Sequence, residues 1–490
     1  MAVIRTRRVL LPLLACLAAV ALPVRAQDIP TGYQEYVILG QEEQVWTFLN
    51  DAAVLEGRAP WDMGMQLIIS LTASANQQTI RLDHWEDGFE EDIENPVQPS
   101  TLVLGDGNPA NGDVRDWSND PRLTGDEIFS GTSLALISDQ DGDMSEPPTL
   151  YVPVPRNRDL DGDTVPDIRF DGGDVVFSTG GPISVVHAQF PINTTVIGGS
   201  AEVLSKEAVG GALTYTVPMG TDTFDRYGGL NTPGEPFKYV ELNLTAYEDG
   251  TDVIVDNGVG SVSFRLDRAE HWSSDGFLGL GAGPSINILE GSTVQSSKPL
   301  GGLIMTAGER GRSARFFALL PNQLHSTDFL LPVSGDDPGA DGSRPANAYV
   351  YNPNGFEIMV AATDTMGSGT MTIPARTLVS YGDMAPAGVG RFIPVGSGLR
   401  LTSPDRFWGV SAFDHQDNNG DWGHSFIATS FLSTYYAIAW APGTEDPVGD
   451  CCASGLNRSP VFVSALTDGT RVQVDLDGDG MADAVDTDGD

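Results

Sequence analysis

Three cysteines in 490 residues are too few for a disulfide framework, and one of them, Cys16, lies inside the N-terminal apolar run. The other two, Cys451 and Cys452, are adjacent. A bridge between chain neighbours is strained and metal sites space their thiols, so this pair reads as loop residues and core burial must hold the fold. Positive charge is scarce: 27 Lys and Arg face 67 Asp and Glu, a net charge of −40. A surface of that sign repels phosphate, which excludes nucleic acid as a partner. Only six histidines are present, and there is no G-x-S-x-G elbow, no H-E-x-x-H and no phosphate-binding glycine loop. No enzyme class is legible. Sustained helical periodicity is not read anywhere, and residues 201–207 supply at most one short helical turn. Beyond the N-terminus no apolar run is long enough to cross a bilayer.

What is present begins with an export signal. Arg5, Arg7 and Arg8 precede an apolar run over residues 9–24, and Arg25-Ala26 precedes Gln27, so residues 1–26 read as a signal peptide cut after Ala26. A loose twin-arginine pattern at 6–11 and a loose lipoprotein box at 13–16 compete with it. The apolar run continues past Cys16, whereas a lipidated cysteine begins a polar mature chain. Removing the signal takes four basic residues and no acidic ones, leaving −44. Such a chain calls for bound cations, and calcium is the expected one.

The sequence is organised by repetition. Residues 245–256 read T-A-Y-E-D-G-T-D-V-I-V-D and residues 464–475 read S-A-L-T-D-G-T-R-V-Q-V-D. Asp249-Gly250 and Asp468-Gly469 suit the tight turn of a β-hairpin, and Val253, Val255, Val472 and Val474 alternate with polar residues as in a half-buried strand. Asn354-Gly355, between residues 348–351 and 358–360, is a weaker intermediate copy. A second marker, small polar residues and a proline before an apolar strand, recurs around Pro182, Pro299 and Pro404. Gly302 and Gly409, which follow the last two, are 107 residues apart, in phase with the first marker. The expectation is an all-β chain of internally repeated antiparallel sheets, either tandem β-sandwich modules or β-propeller blades. The expected units are 27–220 with an acidic insertion at 139–174, 221–340, 341–445, and the start of another at 446–490.

Strands are expected at 45–48, 66–71, 79–82, 133–137, 175–177, 183–186, 264–266, 315–320, 328–331 and 434–440, with a long irregular loop over 95–121. The strand at 79–82 ends in Asp83-His84-Trp85-Glu86-Asp87-Gly88-Phe89, loosely echoed by Glu270-His271-Trp272 and Asp275-Gly276-Phe277. The motif reads first as a turn with a packed aromatic and second as a ligand site of imidazole, carboxylate and indole. Asp414-His415 near Asp421-Trp422-Gly423-His424 likewise reads as a turn before a metal or catalytic cluster.

The sharpest chemistry lies in alternating carboxylates. Asp159, Asp161, Asp163 and Asp167 place side chains at positions one, three, five and nine of a loop with an intervening glycine, which suits a hard cation taking six to eight oxygens at flexible angles. Asp139, Asp141 and Asp143 begin a similar array. Asp475, Asp477, Asp479, Asp483 and Asp486 repeat it at the end, and a further array starting at Asp486 stops at Asp490, which suggests a longer natural protein.

These acidic runs resemble thrombospondin type 3 calcium repeats. The alternation of A-x-x-D-G-T-x-V-x-V segments with S-S-K-P strands over residues 215–475 resembles the N-terminal domain of IgGFc-binding protein and its bacterial surface relatives. Only Lys298-Pro299 keeps that family's Lys-Pro pair. The resemblance implies a secreted or surface-attached protein that binds or adheres to an extracellular protein or glycan. The expected function is a calcium-stabilised, non-enzymatic cell-surface or matrix adhesion protein; the alternative is a calcium-dependent carbohydrate-active enzyme or its targeting module.

Overall fold

The computed structural model describes residues 33–59, 65–112, 126–137, 170–191, 199–223, 237–308, 314–332, 347–365, 367–384, 393, 397–413, 422–436, 438 and 463–474. The chain is all-β, its strands paired antiparallel throughout the described residues. The first group comprises β1 (Gln34–Val37), β2 (Met65–Ala73), β3 (Thr79–Asp83), β4 (Leu102–Leu104), β5 (Ser133–Ile137), β6 (Val175–Thr179), β7 (Ile183–Pro191) and β8 (Gly199–Glu202). It forms two four-stranded sheets, ordered β1-β6-β3-β4 and β5-β2-β7-β8.

The second group adds β9 (Thr214–Thr216), β10 (Tyr239–Ala246), β11 (Thr251–Asp256), β12 (Ser261–Leu266), β13 (His271–Ser273), β14 (Phe277–Leu278), β15 (Gly281–Ala282), β16 (Thr293–Ser296), β17 (Leu300–Ala307) and β18 (Ala314–Ala318). Its sheets run β12-β11-β16-β9 and β15-β14-β13-β10-β17-β18. The third holds β19 (Ser326–Pro332), β20 (Asn347–Tyr351), β21 (Ile358–Asp364), β22 (Gly367–Ile373), β23 (Leu378–Ser380), β24 (Gly398–Phe413) and β25 (Trp422–Ser425). Here the long β24 pairs β19 and β21 through its first half and β20 and β25 through its second.

The three groups have one connectivity. β2, β10 and β20 each lie between the same two neighbours, and β3, β11 and β21 likewise. Thr251 opposite Leu266 returns as Ile358 opposite Ile373, and Leu303 opposite Ala318 as Val410 opposite Ser425, each displaced by 107 residues. The strand orders are not simple sequential meanders. They describe a repeated two-sheet module whose sheets share one core: Val253 and Val255 from one bury with Leu242, Leu244 and Trp272 from the other. Because β9 pairs β16 and β19 pairs β24, the second and third modules begin ahead of residues 221 and 341.

The 245–256 repeat is not a hairpin. β10 pairs β13 and β17, whereas β11 pairs β12 and β16, so Asp249-Gly250 arches the chain from one sheet to the other. A turn sequence encodes a reversal but not the partner of the strand that follows. Gly250 and Gly469 sit at φ +65° and +78°, as expected of an Asp-Gly turn; Gly355 is not among the positive-φ glycines. The proline marker is the second arch, and the two arches touch in every module. Gln78 Nε2 donates to the Gly181 carbonyl at 2.7 Å, Lys298 Nζ to the Asp249 carbonyl at 2.6 Å, and Asn354 Nδ2 to the Arg406 carbonyl at 2.8 Å. This is why both markers keep one period.

Residues 45–48 are helical rather than extended. They belong to α1 (Glu42–Leu55), which buries Val45, Phe48, Leu49, Ala52 and Ala53, an i, i+3, i+4, i+7, i+8 stripe, with Glu42 and Glu43 in its first turn. Short helical turns form α2 (Lys206–Val209), capped by Ser205 and ended by Gly210 at φ +60°, and α3 (Tyr381–Met384). The loop expected at 95–121 contains β4, while residues 434–436, 438 and 463–474 form no strand.

Adjacent modules pack through β18. A Cβ on Gly199 would lie 2.3 Å from the Phe316 ring, and one on Gly423 would lie 2.5 Å from the Phe317 ring. The alternation of a strand thus sends one phenylalanine to the first module and the next to the third.

Candidate metal centre

β3 and β6 are antiparallel neighbours with Asp83 opposite Val175. Continuing that register one step places His84 opposite Asp174, and their side chains meet with Nδ1 and Oδ2 3.0 Å apart. Glu86 joins them, so that one donor atom from each of His84, Glu86 and Asp174 lies within 4.8 Å of the others. All three residues are buried.

The surroundings fix this arrangement from both sides. The Trp85 indole N–H donates to Asp171 Oδ1 at 2.7 Å, and the His84 ring packs on Phe170 at 5.1 Å. Backbone bonds lace residues 173 and 174 to Ile38, at 3.1 Å from the Gly173 N–H and 2.9 Å to the Asp174 carbonyl. Asp83 Oδ2 accepts the Glu90 N–H at 3.0 Å, while Glu90 Oε1 accepts the N–H groups of Val97 and Gln98 at 2.8 and 2.6 Å. Gly173, at φ +112°, passes between Trp85 and His271: a Cβ there would lie 3.1 Å from Trp85 Cδ1 and 3.5 Å from His271 Nε2. The cluster therefore abuts the second module.

The electrostatics are those of acid groups taken out of water. Burial pushes Asp83 up to about 7, against the pull of the Glu90 N–H and of Arg268. Burial, followed by the charges of Asp171 and Asp83, holds Asp174 well above the usual carboxylate range. Asp174 Oδ1 and Asp83 Oδ1 are buried without a hydrogen-bond partner among the described residues. Two carboxylates and an imidazole around one point can either share protons or hold a divalent cation.

The motif at 83–89 therefore contributes to a buried cluster rather than a simple surface turn, although Trp85 does pack within it. Its supposed echo is not equivalent, since His84 follows β3 whereas His271 opens β13 in the opposite sheet of its module. His271 Nδ1 contacts Thr245 Oγ1 at 2.6 Å, and burial pushes His271 down to about 4. Asp174 lay at the end of the expected acidic insertion, and only its D-G-G-D context before β6 signals a role. The expected calcium ligands Asp139, Asp141, Asp143, Asp159, Asp161, Asp163, Asp167, Asp475, Asp477, Asp479, Asp483 and Asp486 lie outside the described residues, as do Cys451, Cys452, Asp414, His415 and Asp421. His424 sits in β25 opposite Ser411. Among the described residues no helix is long and apolar enough to cross a membrane. In comparisons with known proteins the chain matches no family model, no curated protein and no solved structure.

Proposed function

We propose that the chain is an exported, non-enzymatic binding or adhesion protein of the cell surface or extracellular matrix, its array of β modules stiffened by calcium. The observation that carries this reading is the threefold recurrence of one two-sheet module, fastened by buried contacts between neighbours. Fixed spacing of similar faces suits a protein that displays surface rather than one that encloses a substrate. The second and third modules offer an outward strand face: Asp252, Ile254 and Asp256 on β11, and Met359 and Ala361 on β21, alternate with core residues and stand in solvent. The signal-like N-terminus and the aspartate arrays add the export and calcium components.

Presenting the purified chain to panels of matrix proteins and glycans tests the reading. Retention without chemical change of the ligand is the expected result, and turnover of a polysaccharide would replace it with the enzymatic alternative. Millimolar calcium should raise the melting temperature markedly, because ions bound to the aspartate loops stabilise only the folded state. An unchanged melt in chelator would remove calcium from the account.

A further inference from the structure

We infer that His84, Glu86 and Asp174 bind one divalent transition-metal ion of the zinc or manganese class, a site distinct from the aspartate-rich calcium loops. The strand register, not a flexible loop, sets the pair at its core: His84 Nδ1 and Asp174 Oδ2 stand 3.0 Å apart, close to the spacing of neighbouring ligands on a small divalent ion. Glu86 completes a three-donor set whose atoms all lie within 4.8 Å, so a modest closure brings them onto one centre.

A second observation points the same way. Asp174 is fully buried, yet its Oδ1 has no hydrogen-bond partner among the described residues, and Asp83 Oδ1, next in the chain to His84, shares that condition. A buried carboxylate oxygen without a donor is costly, and a cation supplies what the protein side chains do not. The nearby guanidinium, Arg268, is committed to Glu35, with Nε and Nη2 both 3.2 Å from Oε1.

Donor chemistry selects the ion. Calcium and magnesium take oxygen ligands, whereas an imidazole nitrogen with carboxylates suits zinc, manganese, cobalt or iron. The outer partners of such a site are present: Phe170 packs on the His84 ring, and the Trp85–Asp171 bond ties the turn after β3 to the loop before β6. The ion clamps that turn to that loop where Gly173 meets His271 of the second module. The role is structural, at the junction of two modules.

The test uses the full chain, stripped of metal and titrated with zinc, manganese or cobalt in the presence of millimolar calcium. One equivalent of transition metal per chain, retained against calcium and accompanied by a higher melting temperature, is expected. His84→Ala and Asp174→Asn should each weaken zinc binding by about 100-fold or more, since loss of a ligand exceeds the roughly 10–100-fold cost of losing an outer partner. Asp159→Asn should leave it unchanged. Because a cluster variant can fail to fold, the wild-type chain loaded with copper(II) gives a separate readout: pulsed electron paramagnetic resonance should show coupling to an imidazole nitrogen. The proposal is overturned if the folded wild type takes up none of these metals stoichiometrically, if a folded His84→Ala chain binds zinc as tightly, or if nitrogen coupling is absent. None of these results bears on the ligand panels or the calcium melt.

Discussion

His187 is enclosed in the first module, its ring stacked on Phe316 at 6.4 Å, and neither ring nitrogen has a hydrogen-bond partner among the described residues. Burial, reinforced by His271, pushes it down to about 4, and burial does the same to His271. Both are neutral in the folded chain at pH 6.5, where an unfolded histidine begins to protonate. The stability they contribute is therefore complete above that pH and is lost as pH falls from 6.5 through 4, by about 3 kcal/mol for each group. Asp83 has the opposite sign: raised to about 7, it favours the fold below its unfolded value near 4 and loses that contribution as pH rises through 7. Melting followed across pH 4 to 7 should show His187→Met with a flatter acid limb than wild type, and with equal or greater stability at neutral pH because two unsatisfied polar atoms are gone. An acid limb of unchanged steepness would show that His187 does not carry it.

The two turn glycines give a second contrast at this scale. Gly250 holds φ +65°, whereas Gly355 is not in the left-handed region and a Cβ there meets nothing within 4 Å. Urea titration should find Gly250→Ala destabilised by about 1–2 kcal/mol and Gly355→Ala nearly neutral. Equal effects would mean that the arches do not depend on the turn conformation.

Among the elements, β1 is held to the second module by a buried ion pair. Glu35, 1% exposed, receives Arg268, and Lys206 Nζ lies 3.5 Å from its other oxygen; burial still raises its pKa despite both cations. The Arg268 guanidinium also lies over Phe89 and Phe177 at 4.9 and 5.3 Å. Arg268→Met should cost about 3 kcal/mol or more in urea unfolding, because it leaves a buried carboxylate under-compensated. The double variant Glu35→Leu, Arg268→Met should recover part of that loss, and failure to recover would place the arginine's contribution in its aromatic contacts.

Element type was legible where the signal was local. Alternation marked β11, apolar strand-like runs marked β2, β3, β5 and β21, and Ser205 with Gly210 bounds α2 as cap rules anticipate. Helix α1 was obscured because Val45-Trp46-Thr47-Phe48 is β-branched and aromatic, while its helical stripe emerges only when Leu49, Ala52 and Ala53 are included. The cluster was half legible. His84 and Glu86 stand in a recognisable motif, but Asp174 is 90 residues away and joins them only through the pairing of β3 with β6.

At the scale of the molecule, the modules are joined by large buried side chains. Phe316 and Phe317 of β18 lodge over Gly199 and Gly423, while Phe237 meets Tyr349 edge-on at 4.7 Å. Phe317→Ala should cost about 3–5 kcal/mol by opening a cavity between the second and third modules. Limited proteolysis should then release a fragment ending near residues 319–325, between β18 and β19, and a protease pattern identical to wild type would show that the modules do not depend on that contact.

The sequence by itself determined the all-β character, the positions of most strands and the 107-residue period, because alternation and turn chemistry act between neighbours in the chain. Tertiary structure alone decided that the Asp249-Gly250 turn is an arch between sheets, that the repeats are two-sheet modules, and that His84 faces Asp174. Each of these depends on which strand lies beside which, and strand pairing is settled by burying two faces against each other across long stretches of chain.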